Sequence, residues 1–244
     1  MFLQLIDLST RHRVEKRALM LGRQKFDGNP GLERWYKPAL EEAGRELDWH
    51  ELIAEDGYSE TALAALGFGN VESLDYSAFE GADHTHDLNL PVGPDLRGQF
   101  DLIIDGGTLE HVFNLPQALA NVFEMLRPGG VFAACNPFNG WPAHGIYQFG
   151  PELVWTFWKR AAGCEVLRCK MLPKHPSRPS MDLADAQEMG HRVRMKGKVP
   201  EGRSYMYYEV RKSEGAKLTG RVLSGDYQVI WSAEDSKSAK AASA

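Results

Sequence analysis

The sequence is short of cysteine, of long apolar runs and of charge of one sign, and each shortage excludes a class of protein. Its 244 residues include only Cys135, Cys164 and Cys169, an odd number without the spacing of a metal-binding pair, so we expect buried free thiols in a reducing compartment. No stretch reaches the length of a membrane span. The apolar run at the N-terminus is too short for a secretion signal, and the charged residues follow this run, whereas in a secretion signal they come before it. We therefore expect a cytoplasmic protein with no membrane partner.

Charge and composition narrow the range of partners. The formal net charge is −5, from 28 basic and 33 acidic residues, so the basic footprint of a nucleic-acid-binding protein is missing. Hydrophobic residues make up 43% of the chain, which is ordinary for a globular protein and sufficient for one large α/β domain.

The most informative stretch runs from Phe100 to Phe138. An apolar run, Phe100–Ile104, ends at Asp105 and a glycine pair; apolar residues then recur at helical spacing until Pro128-Gly-Gly, and a second apolar run follows at Val131–Cys135. This order of strand, polar loop, helix, turn and strand predicts a right-handed βαβ crossover.

The rest of the chain also alternates between helices and strands. Strands are predicted at Ala18–Leu21, Val71–Leu74, Ala82–Leu88, Cys164–Leu172 and Tyr205–Arg211, with Gln228–Trp231 as a further candidate outside the seven, and helices at 2–17, Trp35–Asp56, Ser59–Leu66, Pro151–Ala162 and Asp182–Met189. The pattern predicts an α/β fold: a doubly wound, mostly parallel seven-stranded sheet with helices on both faces. We expect one domain over residues 1–232 and a disordered tail over 233–244, which is rich in Ala, Ser and Lys.

Polar residues follow four predicted strands, at Gly22, Asp75, Asp87 and Asp105. Ligands of parallel α/β sheets bind beyond the carboxyl ends of the strands. A carboxylate after the second strand suits a ribose, polar groups after the third suit an adenine edge, and glycines after the fourth allow close approach. The pattern favours an adenosine-type cofactor, although each acid alone is equally typical of a solvated loop or a helix cap.

Three segments carry a family resemblance: SLDYSAFEGADHTHDLN, FDLIIDGGTLEHVFN and MLRPGGVF. They resemble the class I S-adenosylmethionine-dependent methyltransferases over roughly residues 18–170, and the longer run that continues through HGIYQFGPEL resembles a bacterial subgroup of that family. The resemblance implies S-adenosylmethionine as the cofactor. It places Gly22 in the first glycine loop, Asp75 on the ribose, Asp87 and Leu88 around the adenine, and Asp105 and Gly106 near the methionine moiety.

The first loop departs from the family pattern. Met20 stands where the family has an acidic residue. Of the three closely spaced glycines that the family pattern has after the first strand, only Gly22 is present. Arg23 is a candidate partner for the cofactor carboxylate, because a guanidinium binds a carboxylate bidentately; the alternative is a solvent-facing side chain. The departure also raises an alternative function, a non-catalytic binding or scaffold protein. A dehydrogenase is disfavoured because the GxGxxG fingerprint is missing after the first strand.

Methyl transfer needs an acceptor held in line with the donor and often a base. The candidate catalytic residues are Glu110, His111 and His144, and each has a structural alternative as a cap, a packing residue or a surface residue. The predicted acceptor-binding residues share the polar, aromatic loop that follows Phe138: Trp141, Tyr147 and Gln148.

Other features are predicted to be structural or stay open. No metal is expected, because His84 and His86 lack a third ligand at suitable spacing. The aromatic residues Trp155, Phe157 and Trp158 are expected in the core. Residues 173–203 form either a lid or an insertion. The predicted acceptor is an oxygen or nitrogen of a small molecule or glycan, and a homo-oligomer is compatible with the sequence.

Overall fold

The computed structural model describes residues 1–199, 201–225, 227–232 and 234. Its strands are β1 Ala18–Leu21, β2 Val71–Asp75, β3 His84–Thr85, β4 Phe100–Asp105, β5 Leu126–Asn139, β6 Glu165–Pro173, β7 Met181–Asp182 and β8 Ser204–Arg211. Its α-helices are α1 Phe2–Arg11, α2 Glu33–Glu42, α3 Glu60–Leu63, α4 Leu115–Met125 and α5 Ala186–Met189. Wider π-type turns occur at Ala64–Phe68 and Leu153–Ala161, and single 3₁₀ turns at Pro30–Leu32, Trp49–Leu52 and Leu109–His111.

All eight strands belong to one sheet, in the order β3-β2-β1-β4-β5-β8-β6-β7. Strands β1 to β5 pair in parallel, and β8 lies antiparallel between β5 and β6. The doubly wound, mostly parallel fold predicted from the sequence is confirmed. The predicted number of seven strands is wrong, because the two-residue strand β7 pairs with the edge of β6.

The central strands are buried on both faces. Every residue of β1 and β4 is buried, which explains why both strands read as continuous apolar runs instead of alternating patterns. One core cluster, around Phe132 and Trp158, packs on one face of the sheet. A second cluster, around Trp49 and α1, packs on the other. The sheet therefore lies between two apolar cores.

Several predicted boundaries are wrong for identifiable reasons. The helix predicted over Trp35–Asp56 is α2 followed by a separate turn at Trp49–Leu52, because Gly44 adopts a left-handed φ of 68°. The strand predicted over Ala82–Leu88 shrinks to β3, since the chain then turns with Leu90 N donating to Asp87 O.

Two predictions near the C-terminal end have different outcomes. The strand predicted at Gln228–Trp231 is wrong, since residues 227–232 are helical; a short apolar run does not discriminate helix from strand. The tail prediction concerns 233–244, which apart from residue 234 lies outside the described residues.

The predicted burial is confirmed at the cysteines and in the aromatic segment. All three cysteines are free and buried, and Phe157 and Trp158 lie in the core. In the described part of the chain, no helix is long and apolar enough to cross a membrane.

Candidate active site

The register of the parallel strands brings three predicted site residues to one edge of the sheet. Leu21 pairs with Leu74 on one side and with Asp105 on the other. Gly22, Asp75 and Asp105 therefore end adjacent strands, as the sequence predicted from their positions after apolar runs.

A cleft of about 260 Å³ opens at this edge. Its lining includes the acidic residues Asp75 and Asp87, the apolar residues Leu88 and Val112, and His111. Acidic groups beside apolar surface are suitable for a ribose next to a purine, because the sugar hydroxyls need acceptors and the ring needs apolar contact.

The two carboxylates are held by local turns. Asp75 Oδ1 accepts from Ser77 N at 3.3 Å. Asp87 Oδ1 accepts from the backbone and side-chain nitrogens of Asn89 at 2.9 and 2.7 Å, and these bonds lower the pKa of Asp87. Asn89 in turn accepts from Asn114 N at 2.8 Å. Sequence reasoning missed both asparagines, although the Asp-x-Asn spacing is a recognisable turn signal.

The first loop contacts the loop that follows β4. Gly22 has a φ of 63°, and a Cβ there would lie 2.5 Å from Thr108 Oγ1. Thr108 Oγ1 donates to Leu21 O at 2.7 Å, and Gln24 Nε2 lies 3.3 Å from Thr108 Oγ1. The Gln24 side chain also lies against Gly106, 3.1 Å from where a Cβ would stand. The single glycine is thus required by a close approach, and Gln24 occupies the space that separates the two loops.

Arg23 is surrounded by oxygen acceptors. Its guanidinium donates to Glu60 Oε1 at 2.6 Å, to Glu80 O at 2.7 Å and to Asp56 Oδ2 at 3.0 Å, and it stacks on the Tyr58 ring at 3.9 Å. The structure therefore places Arg23 in an ion-pair cluster within the protein.

Beyond the cleft, one buried amide joins two buried carboxylates. Asn136 Nδ2 donates to Asp105 Oδ2 at 2.7 Å and to Glu110 Oε2 at 3.1 Å, and Asp105 Oδ1 also accepts from Gly107 N and Thr108 N at 3.0 and 2.7 Å. Burial raises the pKa of Asp105. Burial, together with the charge of Asp105, raises the pKa of Glu110 to about 7.

The loop after β5 is attached to the backbone of Glu110. Ile146 N and Tyr147 N both donate to Glu110 O, at 2.7 and 3.2 Å. Gly145 makes this approach possible, since a Cβ at its φ of 67° would stand 2.9 Å from Glu110 O. The loop brings His144 Nε2 to 3.6 Å from Glu110 Oε1.

The structure brings together the three candidate catalytic residues. The ring centroids of His111 and His144 lie 5.0 Å apart in an edge-to-face arrangement, and burial together with His144 lowers the pKa of His111. By contrast, His84 Nε2 lies 2.7 Å from Glu72 Oε2 and His86 Nε2 lies 3.0 Å from Leu90 O.

The predicted acceptor-binding residues are partly engaged within the protein. Trp141 is 9% exposed, and its ring packs against those of His144 and Tyr205. Tyr147 donates its hydroxyl to Phe113 O at 2.8 Å, and Gln148 Oε1 accepts from Trp141 N at 3.1 Å. All three belong to the loop that carries His144.

Part of the chain that forms this site matches a known protein family. Residues 58–134 match the family described as "Methyltransferase domain". A curated trans-aconitate 2-methyltransferase of Deinococcus radiodurans is 31% identical over 130 residues, which cover 46% of this chain and 50% of the relative. The chain therefore spans about half the length of this relative.

Solved structures with a similar arrangement are more distant. The 1,6-didemethyltoxoflavin-N1-methyltransferase of Burkholderia thailandensis, solved with its ligand and S-adenosylhomocysteine, is 15% identical with a TM-score of 0.47 over 87% of this chain and 76% of its own. TehB of Haemophilus influenzae is 13% identical with a TM-score of 0.45 over 86% of this chain and 62% of its own.

The family match bears out the resemblance to methyltransferases predicted from the sequence, over residues 58–134. The matched span contains Asp75, Asp87, Asp105 and the Glu110–His111 pair. It begins after the first loop, which carries Met20 and the single glycine Gly22.

Proposed function

We propose that the chain, whose residues 58–134 match the methyltransferase-domain family, transfers a methyl group from S-adenosylmethionine to an oxygen or nitrogen of a small molecule or glycan-type acceptor. The observation that carries the proposal is the convergence of Asp75, Asp87 and Leu88 on one cleft beside the loop that follows β4. The bound cofactor supplies a methyl group on a sulfonium, which is already activated for transfer.

In this proposal the cleft holds the adenosine half. Asp75 has one oxygen committed to Ser77 N, which leaves the other to accept from the ribose hydroxyls. Asp87 and Leu88 contact the adenine edge and face. The residues fit the group because the acceptors and the apolar surface line the same space.

Four residues are assigned to the methionine end. Gly22 and Gly106 allow the backbone to approach the ligand, and Gln24, which lies against Gly106, provides an amide. Asp105 has both oxygens engaged, so we assign it to shaping the loop. We leave Arg23 out of the site, because its donors bind Glu60, Asp56 and a carbonyl.

Glu110, His111 and His144 are assigned to the acceptor side. They lie next to the cleft and at the base of the loop that carries Trp141, Tyr147 and Gln148. Holding the acceptor in line with the methyl group is the main task of these residues, since correct positioning contributes more than any single proton transfer when the donor is activated.

Calorimetric titration with S-adenosylhomocysteine tests the cofactor site. Asp75→Asn should weaken binding about 10- to 100-fold, because hydrogen bonds to a charged group contribute about 1.5–3 kcal/mol. Asp182→Asn, at an 85% exposed carboxylate on the edge strand, is the matched control and should bind normally. If the wild-type chain shows no binding at millimolar ligand, the proposal is wrong.

The non-catalytic alternative is supported by one observation. Gln24 fills the space against Gly106, and Thr108 closely approaches Gly22, so the methionine end is narrow. Methyl incorporation from labelled donor into a cell extract decides between the two functions. If the wild-type chain incorporates the methyl group and Asp75→Ala abolishes the incorporation, a non-catalytic role is excluded. If the chain binds S-adenosylhomocysteine but incorporates no methyl group, the non-catalytic role is favoured.

A further inference from the structure

The cluster of Glu110, His111 and His144 has the composition of a metal site. Each side chain offers one ligand atom, and the three atoms lie within 4.8 Å of one another. We propose that these residues bind one divalent first-row transition-metal ion at the acceptor side of the cleft.

Backbone hydrogen bonds bring the three residues of this cluster together. Glu110 and His111 belong to the single turn that follows β4. The loop with His144 is attached to that turn through the two hydrogen bonds to Glu110 O, and Gly145 is required by the contact. Glu110 and His144 are 34 positions apart in the sequence, and the hydrogen bonds to Glu110 O bring the segments that carry them together.

The distances require only a small adjustment. His144 Nε2 is 3.6 Å from Glu110 Oε1, and metal–ligand bonds of about 2.0–2.2 Å place neighbouring ligand atoms about 2.8–3.6 Å apart, depending on whether the geometry is octahedral or tetrahedral. Both imidazoles are exposed, so their side chains can rotate inward. Glu110 is 1% exposed and its Oε2 is fixed by Asn136, which leaves Oε1 directed toward His144.

The charge of the cluster also favours a cation. Asp105 and Glu110 are both buried, and they share the neutral Asn136 amide as a donor. In the part of the chain that the structure describes, the ion-pair partner of Glu110 is the His144 imidazole. A divalent ion would place positive charge beside this carboxylate pair when the imidazole is neutral.

The donor set indicates which metals fit. Two imidazole nitrogens and one carboxylate oxygen suit Mn²⁺, Fe²⁺, Co²⁺, Ni²⁺ and Zn²⁺, and Asn136 supplies the outer hydrogen bond that orients the carboxylate. Three protein ligands leave positions open for an oxygen or nitrogen of the acceptor.

The role of the metal rests on the proposed function, whereas its binding does not. The ion would bind the acceptor and ease loss of its proton to water. A lone pair of the acceptor atom then forms a bond to the methyl carbon, the C–S bond breaks, and its electron pair stays on sulfur as the thioether.

The test uses the full chain, freed of metal by a chelator and titrated with Co²⁺. We expect one equivalent to bind, with the visible absorption of Co²⁺ held by nitrogen and oxygen ligands. Glu110→Gln and His144→Ala should each weaken binding at least tenfold. His50→Ala removes an exposed histidine outside the cluster and should leave binding unchanged.

Circular dichroism checks that each variant is folded, and His111→Ala provides an independent test if one variant fails to fold. Binding that survives both His111→Ala and His144→Ala, or no stoichiometric binding by the wild type, would overturn the proposal. S-adenosylhomocysteine is titrated in the same metal-free sample. If the chain binds cobalt but not S-adenosylhomocysteine, the proposed function is refuted and the metal site stands. If the chain binds S-adenosylhomocysteine but not cobalt, only the metal site is refuted.

Discussion

The buried amide of Asn136 provides a quantitative test of how the site is held together. Asn136 is fully buried, and its two hydrogen bonds, of 2.7 and 3.1 Å, both go to buried carboxylates. Its own Oδ1 has no hydrogen-bond partner among the described residues. The orientation of the amide is therefore determined by its donors, because the neighbouring carboxylate oxygens accept.

Asn136→Ala removes both donors and leaves the carboxylates beside a small cavity. Hydrogen bonds to charged groups contribute about 1.5–3 kcal/mol each, so the two bonds give a range of about 3–6 kcal/mol. We expect the lower end, about 3 kcal/mol, because the neighbouring groups relax after the truncation. For a chain of this size, this corresponds to a fall in Tm of about 6–12 °C.

Urea unfolding followed by tryptophan fluorescence measures the change in the free energy of unfolding. Asn70→Ala is the matched control, because Asn70 is exposed and surface substitutions usually change stability by less than about 0.5 kcal/mol. Asn136→Asp should destabilise at least as much as alanine, since it places a third carboxylate beside the other two. A loss below about 1 kcal/mol for Asn136→Ala would refute the reasoning.

Three further predictions concern the first loop, the core and acid stability. Gly22→Ala should cost at least about 1 kcal/mol and weaken S-adenosylhomocysteine binding in calorimetry, because its Cβ would stand 2.5 Å from Thr108 Oγ1 at a positive φ. Trp158→Ala, at a fully buried ring, should cost about 3–5 kcal/mol in urea unfolding. Burial lowers the pKa of His12 below its ordinary value of 6.5, although its ring lies 3.0 Å from Asp101 O. The unfolded chain thus binds this proton more readily, so stability should fall as the pH drops below 6.5, and His12→Gln should flatten that part of a stability–pH profile.

Each of these predictions has a control that separates it from a general effect. Gly44→Ala has a comparable φ of 68° but open space around it, so it should show the conformational cost without the effect on ligand binding. Trp231→Ala changes a ring that is 48% exposed and should cost far less than Trp158→Ala. An acid profile that His12→Gln leaves unchanged would contradict the assignment to His12.

The βαβ unit was predictable because its signals are local. The apolar run of β4, the helical spacing of α4 and the turn residues between them specify each element without distant contacts. Asp75 and Asp105 were predictable as neighbours for the same reason, since each directly ends a strand of a parallel sheet.

The connections within the site were not predictable, because they depend on register between strands. Asn136 lies two positions beyond Ala134, which pairs with Asp105 across the sheet, and no sequence pattern marks this relation. Arg23 bonds to Asp56 and Glu60, which are more than 30 positions away. The convergence of His144 on Glu110 likewise depends on the path of the loop after β5.

The attachment of that loop to Glu110 O has a thermodynamic consequence. The turn that bears Glu110 also contributes Thr108 and His111 to the cleft, so the proposed cofactor and acceptor sites share one backbone segment. If the first ligand orders this segment, the second ligand no longer has to overcome the entropic cost of ordering it. The two ligands should bind with positive heterotropic coupling, and the factor by which the first tightens the second must equal the factor by which the second tightens the first.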